Sequence, residues 1–592
     1  MERRAALAVG LSLLVLYLYQ AFIYKPPPTA VTGNQAKTAA AAPAQGGGPA
    51  QGGGPAAANL ESAPTSAAPA AVVSESTERN IIIDNGKVEA VLSNRGGRLL
   101  NWRLAGYFDD KHAALDLIPN NVPADQPRPL TLRLKDAELS RRANRSFYRV
   151  TGGGDGRVDA RKAPATVVLE YQDASGFQVR KELRFESQSY VFSVKTEVRQ
   201  GDQVLQPTIE WGPGLGDQGS VAISGGFFTG NVVQPPSAIY NKDGKVTRMV
   251  AEKSGGEPVP ESRFLFAGVD DHYFLAAAVD PGQARIEYRP VSVSGPGDTR
   301  RVFIAHAITP TGDPRSIRFF VGPKQLETLR AAGINGELAY AINFGMFKWL
   351  VIPLLGALKW VYGYIGNYGW SIVLLTIIIN LVMFPLRHKS LVSMRKTQAL
   401  QPQIKAIQDR YADLKATDPD RQKMNTEVMN LYREKGVNPA AGCVPMLLTM
   451  PVLFASYSML SQAIELRGAD FGFWIHDLSL KDPFYVTPLL MGATMFLQQW
   501  MTPTSADPMQ QRMMMFMPLV LTAVFLRLPS GLAIYYLVSN LCQIGQQYVT
   551  NRTIGRPPAA VPLRSAGEKR LKNAGGGKTP GAASIKQGER RA

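Results

Sequence analysis

The sequence predicts a polytopic α-helical membrane protein with six transmembrane helices, a large all-β domain on one side of the membrane and a helical hairpin on the other. Three observations predict this fold class. Apolar segments fill the last third of the 592-residue chain, and short runs in the middle alternate apolar with polar residues. Lys and Arg, which give a net charge of +18, gather beside the apolar segments.

The N-terminal segment 1–25 is predicted to be an uncleaved transmembrane anchor. Arg3 and Arg4 precede the uncharged stretch Ala5–Ile23, whose 19 residues exceed a signal-peptide core of about 7–15 and approach the roughly 20 that span a bilayer. A cleaved signal peptide is the alternative, but no small-residue cleavage site follows. Residues 26–75 are rich in Pro, Ala, Gly and Gln, and so are predicted to be a disordered linker.

The central region, residues 76–325, is predicted to be a large all-β sandwich. Its runs of β-branched and aromatic residues, broken by Gly, Asp and Asn, are Ile81–Asn94, Thr166–Tyr171, Phe177–Phe185 and Tyr190–Val198. Residues 326–368 are predicted to be amphipathic helices that lie in the membrane interface. Pro353, Lys359 and four aromatic residues in the apolar stretch Trp349–Ile365 favour an interfacial helix over a span.

Residues 369–550 are predicted to form a core of five further spans. These are Gly369–Leu386, Cys443–Ile464, Phe484–Met501, Met513–Leu528 and Gly531–Tyr548. Residues 387–442 carry eleven Lys or Arg against six acids, and residues 549–592 carry ten against two, whereas residues 465–483 carry two against four. The positive-inside rule therefore places both termini in the cytoplasm. The fourth of these spans, with 16 residues, reaches only about 24 Å against a hydrocarbon core of roughly 30 Å.

The cytoplasmic loop 387–442 is predicted to be a coiled-coil hairpin. Leu400, Ile404, Ile407, Tyr411 and Leu414 follow a 4-3-4-3 spacing, which is that of a coiled-coil seam. The same spacing resumes at Met424, Val428 and Leu431 after a break at Asp418–Pro419. The hairpin is either a docking surface or a simple connector.

The predicted spans contain many polar side chains: Thr376, Asn380, Ser456, Ser458, Gln462, Gln498, Gln499, Ser539, Asn540, Gln543, Gln546 and Gln547. Uncompensated polar groups are costly in lipid, so these should face the bundle interior or a wet cavity. The alternative is that several only link helix to helix, for about 0.6 kcal/mol each.

No pattern predicts catalysis, a cofactor or a metal. The Gly575–Thr579 stretch lacks the first glycine of a phosphate-binding loop, because Lys572 stands there. The five histidines show no metal-ligand spacing. We therefore expect a protein that is not an enzyme.

Several unrelated motifs resemble those of the YidC-type membrane protein insertases. They are Phe473–Leu478 with Asp477, Asp507–Gln511, Pro529–Leu532, and Val437–Pro439 leading to Gly442–Cys443 and Pro445. The resemblance is dense over residues 340–550 and looser around Gly96–Gly97 and Trp211–Gly214. It implies the Gram-negative branch, an inner-membrane location, a periplasmic β-supersandwich and a periplasmic region over about 26–368.

The resemblance also implies a function and a site. In that family a hydrophilic groove, open to cytoplasm and lipid, inserts membrane-protein clients and helps them fold and assemble without ATP hydrolysis. The groove residues implied here are Thr376, Asn380, Gln498, Tyr535 and Tyr536, with Arg387 at the cytoplasmic mouth. Asn380 stands where the family usually has an arginine, so it can hydrogen-bond a client but cannot attract an acidic one. For the two tyrosines, an interfacial belt is an equally good explanation.

The implied partners are client chains, the lipid bilayer, the Sec translocon and the ribosome, with one copy sufficient and no DNA bound. The ribosome would meet the cytoplasmic hairpin and the basic, disordered tail 551–592. Adhesion of the tail to anionic lipid is the alternative. Two other functions are a solute transporter, although no internal repeat is visible, and a glycan-binding β domain.

Overall fold

The computed structural model describes residues 69–109, 111–119, 126–215, 234–251, 255, 258–294, 300–311, 316–411, 420–437, 444–501 and 508–554. They belong to two compact units, one from Met1–Phe344 with Gln462–Gly468 and one from Gly345–Ser461 with Ala469–Ala592. The predicted anchor, the predicted linker as far as residue 68 and the predicted tail beyond residue 554 lie outside the described residues.

The first unit contains nineteen strands among its described residues. In chain order, β1 to β19 are Ala71–Val73, Asn80–Asp84, Val88–Ser93, Arg98–Phe108, Ala114–Asp116, Thr131–Arg133, Arg149–Thr151, Arg157–Asp159, Ala165–Asp173, Phe177–Phe185, Val191–Gln200, Gln203–Leu205, Thr208–Trp211, Ser237–Lys242, Lys245–Val250, Val259–Asp270, Phe274–Ser294, Arg300–Pro310 and Ile317–Pro323. The β runs predicted between residues 81 and 198 are confirmed, the first of them as the hairpin β2–β3.

The strands form two sheets. The larger sheet has the order β1-β9-β10-β11-β19-β17-β16-β14-β15, with β7, β12, β13, β18 and β6 attached beside this path, and the smaller has the order β5-β4-β3-β2-β8. Neighbours are antiparallel apart from β2 and β8, which run parallel. This arrangement agrees with the sandwich that the alternating runs predict.

Aromatic rings fill the space between the two sheets. Trp102 of the smaller sheet lies 5.0 Å, centroid to centroid, from Phe192 of the larger one, and its Nε1 donates to the Val321 carbonyl at 2.9 Å. Phe192 stacks on Phe319, which stacks on Trp211. Each fully buried ring of this kind contributes about 2–3 kcal/mol of transfer free energy. This aromatic core holds the sandwich together.

One inward position on β10 is occupied by a lysine. The strand buries every second residue, and Lys181 takes its place in that series with no exposed surface. Its ammonium donates to the carbonyls of Gly96 at 2.6 Å, Gly97 at 3.2 Å and Leu130 at 2.7 Å. Burial lowers the pKa of Lys181 to about 7, while the three carbonyls favour the charged form. A buried polar group is tolerated here because each of its N–H donors has an acceptor.

The helices of the described residues, α1 to α10, are Ala137–Arg145, Leu326–Ala332, Lys348–Ile365, Tyr368–Ala399, Gln401–Arg410, Asp420–Glu434, Val444–Gln462, Val486–Met501, Pro508–Phe525 and Ser530–Ile554. The first two belong to the β-sandwich unit and the others mainly to the helical unit. Helices α4 and α7 to α10 occupy the five segments predicted as C-terminal spans. Within the described part, Tyr368–Thr397 is the one helix long and apolar enough to cross a membrane by itself. The count of six spans therefore remains a prediction.

Helix α9 is short in apolar length. Its apolar part is Met513–Phe525, which at 1.5 Å per residue measures about 20 Å. The helix begins earlier than the predicted span, at Pro508, with the polar residues Gln510 and Gln511 in its first turn. This apolar length falls short of a hydrocarbon core of about 30 Å by roughly a third.

Helices α5 and α6 pack against each other as the seam predicts. Their shared apolar cluster contains Leu400, Ile404, Val428, Leu431, Tyr432 and Val437. Glu427 ties the ends together, because it accepts from Arg410 at 2.9 Å and from the Tyr411 hydroxyl at 2.8 Å. Leu414 and the predicted break at Asp418–Pro419 lie outside the described residues, and the cytoplasmic location of the hairpin remains a prediction.

Helix α3 has one buried face and one aromatic exposed face. Its buried residues are Val351, Leu355, Leu358 and Val361. Trp349, Trp360 and Tyr364 are 66%, 62% and 76% exposed. Exposed tryptophan and tyrosine rings suit a membrane interface, where an apolar ring and a polar edge are both satisfied. The interfacial position of residues 326–368 remains a prediction that this face supports.

Candidate functional site

Helix α4 carries three polar residues on one face. Thr376, Asn380 and Arg387 are spaced by four and seven residues, and both intervals return to the same side of a helix. Thr376 is 1% exposed and its hydroxyl donates to the Ile372 carbonyl at 2.6 Å. Asn380 is 3% exposed and its Nδ2 donates to the Thr376 carbonyl at 2.8 Å. Both side chains are thus fixed to their own helix.

Arg387 extends back along α4 to Asn380. Its Nη1 donates to the Asn380 Oδ1 at 2.8 Å, across two helical turns. Side chains on a helix tilt toward its N-terminus, which allows this long side chain to reach so far. The guanidinium also lies close enough to Tyr535 and Cys542 on α10 to interact with them electrostatically. A positive charge therefore reaches the amide of residue 380, although no arginine stands there.

Helix α10 faces this pair with a polar row. Gln546 Nε2 donates to the Asn380 carbonyl at 2.8 Å, and Gln543 Nε2 donates to the Ser539 hydroxyl at 3.0 Å. The Asn380 Nδ2 lies 3.5 Å from the same hydroxyl. Ser539, Gln543 and Gln546 follow i, i+4, i+7 spacing, so they share one helix face.

Helix α8 closes the network. Gln498 Nε2 donates to Gln543 Oε1 at 2.9 Å, and Gln547 Nε2 donates to the Met501 carbonyl at 2.9 Å. Hydrogen bonds thus join α4, α8 and α10. The sequence analysis included Ser539, Gln543 and Gln546 among the polar residues of the spans but assigned only Gln498 of this group to the groove. The signal that could have added the other three is their regular spacing.

The two predicted tyrosines lie beside the network. Tyr535 is 6% exposed, while Tyr536 is only partly buried and meets it edge to face at 5.3 Å. Tyr536 also meets Phe525 of α9 edge to face at 4.8 Å. Tyr535 therefore belongs to the packed interior near Arg387, whereas Tyr536 presents part of its ring at the surface of the helical unit.

The arrangement can bind polar groups, and it offers no metal site. Amide and hydroxyl groups with one cation can hydrogen-bond a peptide backbone or attract a carboxylate. The Gln546 Oε1 is buried and has no hydrogen-bond partner, so one acceptor is available for a ligand N–H. In the part of the chain that the structure describes, no three His, Cys, Asp or Glu residues come together in a way that could hold a metal ion.

The motif residues around 477 and 530 anchor the opposite end of α10. Ser530 N donates to the Leu480 carbonyl at 2.7 Å and Gly531 N to the Leu478 carbonyl at 3.0 Å. The Ser530 hydroxyl donates to the Asp477 carbonyl at 3.2 Å. This loop fixes the start of α10, and through it the direction of the polar row.

Asp482 anchors the start of α8 in the same loop. Its carboxylate accepts from the Thr487 backbone at 2.7 Å, the Thr487 hydroxyl at 2.8 Å, Phe484 N at 3.0 Å and Trp474 Nε1 at 3.0 Å. Burial acts to raise the pKa of Asp482, but these hydrogen bonds outweigh it and hold that pKa below its usual range.

Known families match both parts of the chain. A family described as 60Kd inner membrane protein matches residues 360–556, and one described as YidC periplasmic domain matches residues 80–357. A protein of Syntrophus aciditrophicus named membrane protein insertase YidC is 33% identical, over 93% of this chain and 100% of that protein. One of the same name from Nitratidesulfovibrio vulgaris is 34% identical, over 92% of this chain and 98% of its own length.

A solved structure of an active YidC insertase with its first transmembrane domain resolved is 18% identical, with a TM-score of 0.32 over 81% of this chain and 95% of that one. The two units define the class: a membrane protein that combines a periplasmic β-sandwich with a helical bundle built around a buried polar network. The chain belongs to the YidC family of membrane protein insertases. That family is one of insertases and not of enzymes.

Proposed function

We propose that the chain inserts integral membrane proteins into the inner membrane of a Gram-negative bacterium and helps them fold and assemble, alone or with the Sec translocon. The observation that carries this proposal is the hydrogen-bonded network of Asn380, Arg387, Ser539, Gln543 and Gln498 inside an apolar helical unit. The name borne by its relatives, membrane protein insertase, supports the same function.

The physical task is to lower the cost of moving a polar segment across hydrocarbon. An unsatisfied backbone group in lipid costs several kcal/mol, and a polar client segment has many. A hydrophilic groove, open to cytoplasm and lipid, offers these groups partners over part of the path. Release of the client's apolar segment into lipid then drives the step, so that the chain needs no ATP hydrolysis.

Within that groove we assign a task to each site residue. Asn380 and Gln498 hydrogen-bond the client backbone, and Thr376 holds Asn380 in its orientation. Arg387, at the cytoplasmic mouth, supplies positive charge next to Asn380 and attracts acidic segments. The partly exposed ring of Tyr536 contacts the client's apolar side chains, and Tyr535 supports the guanidinium of Arg387.

The test uses liposomes that contain the full chain as their only protein. A small client that needs no translocon is added, and inserted client is measured by protease protection. We expect protection well above that in empty liposomes, and a severalfold loss with Asn380→Leu, because the leucine removes the amide of the network. Protection equal to that in empty liposomes, from a folded sample, would refute the proposal.

The proposed topology follows from the charge distribution. The segment 1–25 anchors the chain, residues 26–368 are periplasmic, and 369–550 form the five-helix core with both termini in the cytoplasm. In this arrangement the cation-rich segments 387–442 and 551–592 face the cytoplasm, as the positive-inside rule requires. One copy of the chain suffices, because the network is contained in a single helical unit.

The hairpin and the tail are proposed to contact the ribosome. Lys and Arg side chains bind ribosomal RNA by releasing its counterions, so the affinity should fall steeply with salt. Co-sedimentation with ribosomes tests this with and without residues 552–592. Equal binding by both proteins would exclude the tail as the main contact, and binding to anionic vesicles alone would favour membrane adhesion.

A further inference from the structure

A cleft in the β-sandwich unit is crowded with arginines. Seven arginine side chains line a volume of about 490 Å³, and Glu210 is the one carboxylate among the described lining residues. None of those residues is aromatic. Like charges gathered in one cleft repel each other, and carboxylates at its edge pair with only some of these arginines.

The first two arginines flank the turn Gly96–Gly97. Arg95 and Arg98 both point at Glu78, each at 3.6 Å, which is too long for a hydrogen bond. The Nε of Arg98 is buried and has no hydrogen-bond partner. One carboxylate at this distance offsets two guanidinium groups only in part.

The next segment adds a third guanidinium and a free acceptor. Arg128 donates to the Pro119 carbonyl at 2.9 Å. Burial lowers the pKa of Arg128, the charge of Arg98 adds to this effect, and the charge of Asp116 opposes it. Beside it, the Oε1 of Gln126 is buried without a hydrogen-bond partner. Among the described lining residues, the cleft therefore contains one buried donor without a partner, the Arg98 Nε, and one such acceptor, the Gln126 Oε1.

Helix α1 and strand β17 complete the charged wall. Arg141 and Arg145 are one turn apart on α1, and Arg289 extends from β17. Arg141 pairs with Glu138 on its own helix. Arg133 is paired with Glu210 at 3.0 Å and with Glu287. Asp116 acts electrostatically on Arg128, and Glu210 on Arg289, but among the described residues no carboxylate lies within ion-pair distance of Arg128, Arg145 or Arg289.

The backbone beneath the cleft is held rigidly. The buried ammonium of Lys181 ties the Gly96–Gly97 turn to Leu130, between the segments that carry these arginines. Asn144 of α1 exchanges two hydrogen bonds with the Leu132 backbone, at 2.7 and 3.0 Å. A Cβ at Gly96, where φ is +67°, would lie 2.5 Å from the Asn144 carbonyl oxygen. These hydrogen bonds and close contacts fix the Gly96–Gly97 turn, residues 130–132 and helix α1 relative to one another. The arginines that they carry are therefore pre-organised.

We propose that this cleft binds a phosphate-bearing anion with neighbouring hydroxyl groups, either the headgroup of an anionic lipid or a free organic phosphate. Guanidinium forks match phosphate oxygens bidentately. The described lining residues offer neither the aromatic surface on which a sugar would stack nor the row of apolar side chains that an extended peptide needs. Its volume suits a headgroup and not a folded segment.

Titration calorimetry on the full chain in neutral detergent at low salt tests the proposal. The probes are glycerol 1-phosphate and, below its micelle concentration, a short-chain phosphatidylglycerol, with the matching phosphatidylcholine as a blank. The cleft variant combines Arg128→Gln, Arg145→Gln and Arg289→Gln. The control combines Arg157→Gln, Arg184→Gln and Arg199→Gln, three exposed arginines outside the cleft, with the same change in net charge.

We expect saturable binding that the cleft variant weakens about tenfold or more and the control changes less than about twofold. If the triple variant unfolds, Arg145→Gln alone, at an exposed position, should weaken binding severalfold. Binding of the lipid alone identifies a headgroup, and binding of glycerol 1-phosphate alone identifies a free phosphate; both support the proposal. Equal binding by the cleft variant and the wild type would overturn it. So would displacement of glycerol 1-phosphate by an aspartate-rich peptide at equal concentration, since the cleft would then select charge and not phosphate.

Discussion

At the scale of single residues, we propose that Asn380 and Arg387 together provide what the family's usual groove arginine provides. The resemblance implied a groove arginine at residue 380, and the asparagine there left client attraction unexplained. The 2.8 Å hydrogen bond between the two side chains connects the charge of Arg387 to that amide. A guanidinium charge therefore lies beside residue 380, although the arginine that carries it is two helical turns closer to the C-terminal end of α4.

Arg387→Gln should therefore impair acidic clients more than neutral ones. The substitution keeps a hydrogen-bonding amide but removes the charge, so attraction of a carboxylate is lost and backbone hydrogen bonding is not. We expect a severalfold loss of insertion for a client with an acidic translocated segment and less than about a twofold loss for its neutral counterpart. Protease protection in liposomes measures both.

Two further variants sharpen this test. Arg527→Gln removes the same charge from an exposed position in the helical unit and should affect both clients equally. The exchange of Asn380→Arg with Arg387→Asn returns a cation to the middle of α4 and should restore the acidic client. An unchanged ratio of acidic to neutral insertion in Arg387→Gln would contradict the assignment.

His306 should make the β-sandwich sensitive to acid. It is fully buried, it stacks on Trp211, and neither of its ring nitrogens has a hydrogen-bond partner. Burial lowers its pKa to about 3, against about 6.5 when unfolded. The unfolded chain therefore takes up a proton first, and stability is lost as the pH falls below about 6.5, by about 2 kcal/mol at pH 5.

His306→Phe should keep the stacking and remove this loss. The measurement is the free energy of urea unfolding in detergent at several pH values, followed by tryptophan fluorescence. His112→Gln, at an exposed position, is the control and should leave the acid slope unchanged. An identical slope for His306→Phe and wild type would show that folding does not lower the pKa of His306.

At the scale of elements, the sequence predicts strands from the periodic spacing of their apolar residues. It does not predict hydrogen bonds between residues that are distant along the chain. The β runs could be predicted because burial alternates along each strand, as on β10. The same pattern could not explain Lys181, since its acceptors are 51 to 85 residues away. Gln498 could be selected as a polar residue in a span, but its bond to Gln543 depends on how α8 packs on α10.

The loop before α8 should depend on the charge of Asp482. Asp482→Asn keeps the shape but exchanges a carboxylate oxygen for an NH₂ group, which cannot accept from Thr487 or Phe484. We expect about 2 kcal/mol of lost stability and a lower thermal unfolding midpoint in detergent.

The pH dependence of that loss has a definite sign. Because the folded pKa of Asp482 lies below the usual aspartate value of about 3.9, its contribution is complete above that value and is lost on further acidification. Asp470→Asn, at a side chain 59% exposed, is the control. Equal midpoints for Asp482→Asn and the control would mean that the carboxylate is dispensable.

At the scale of the whole molecule, two helices of the helical unit are shorter than the hydrocarbon core of a bilayer. The apolar part of α9 measures about 20 Å and the 16 residues of α8 about 24 Å. These two helices approach closely, because a Cβ at Gly492 would lie 2.1 Å from the Thr522 hydroxyl. Two short helices in contact should thin the bilayer beside them.

Insertion should therefore depend on bilayer thickness. Thin bilayers match the short helices, whereas thick ones must deform at a cost of a fraction of a kcal/mol per Å of mismatch. We expect client insertion to fall severalfold across phosphatidylcholines of increasing acyl-chain length. Empty liposomes of each lipid are the control for uncatalysed insertion. Activity that is independent of acyl length, at equal reconstitution, would contradict the prediction.

The ammonium of Lys181 also bears on the order in which the β-sandwich folds. Its partners Gly96, Gly97 and Leu130 are 85, 84 and 51 residues distant along the chain, so an intermediate that lacks either segment leaves the ammonium with at least one unsatisfied N–H. Such long-range contacts form late, after most of the loop entropy has been lost. An interaction that forms after the folding transition state slows unfolding and leaves the folding rate almost unchanged. Lys181 should therefore affect the unfolding rate of the domain, and so the lifetime of the folded state, more than its folding rate.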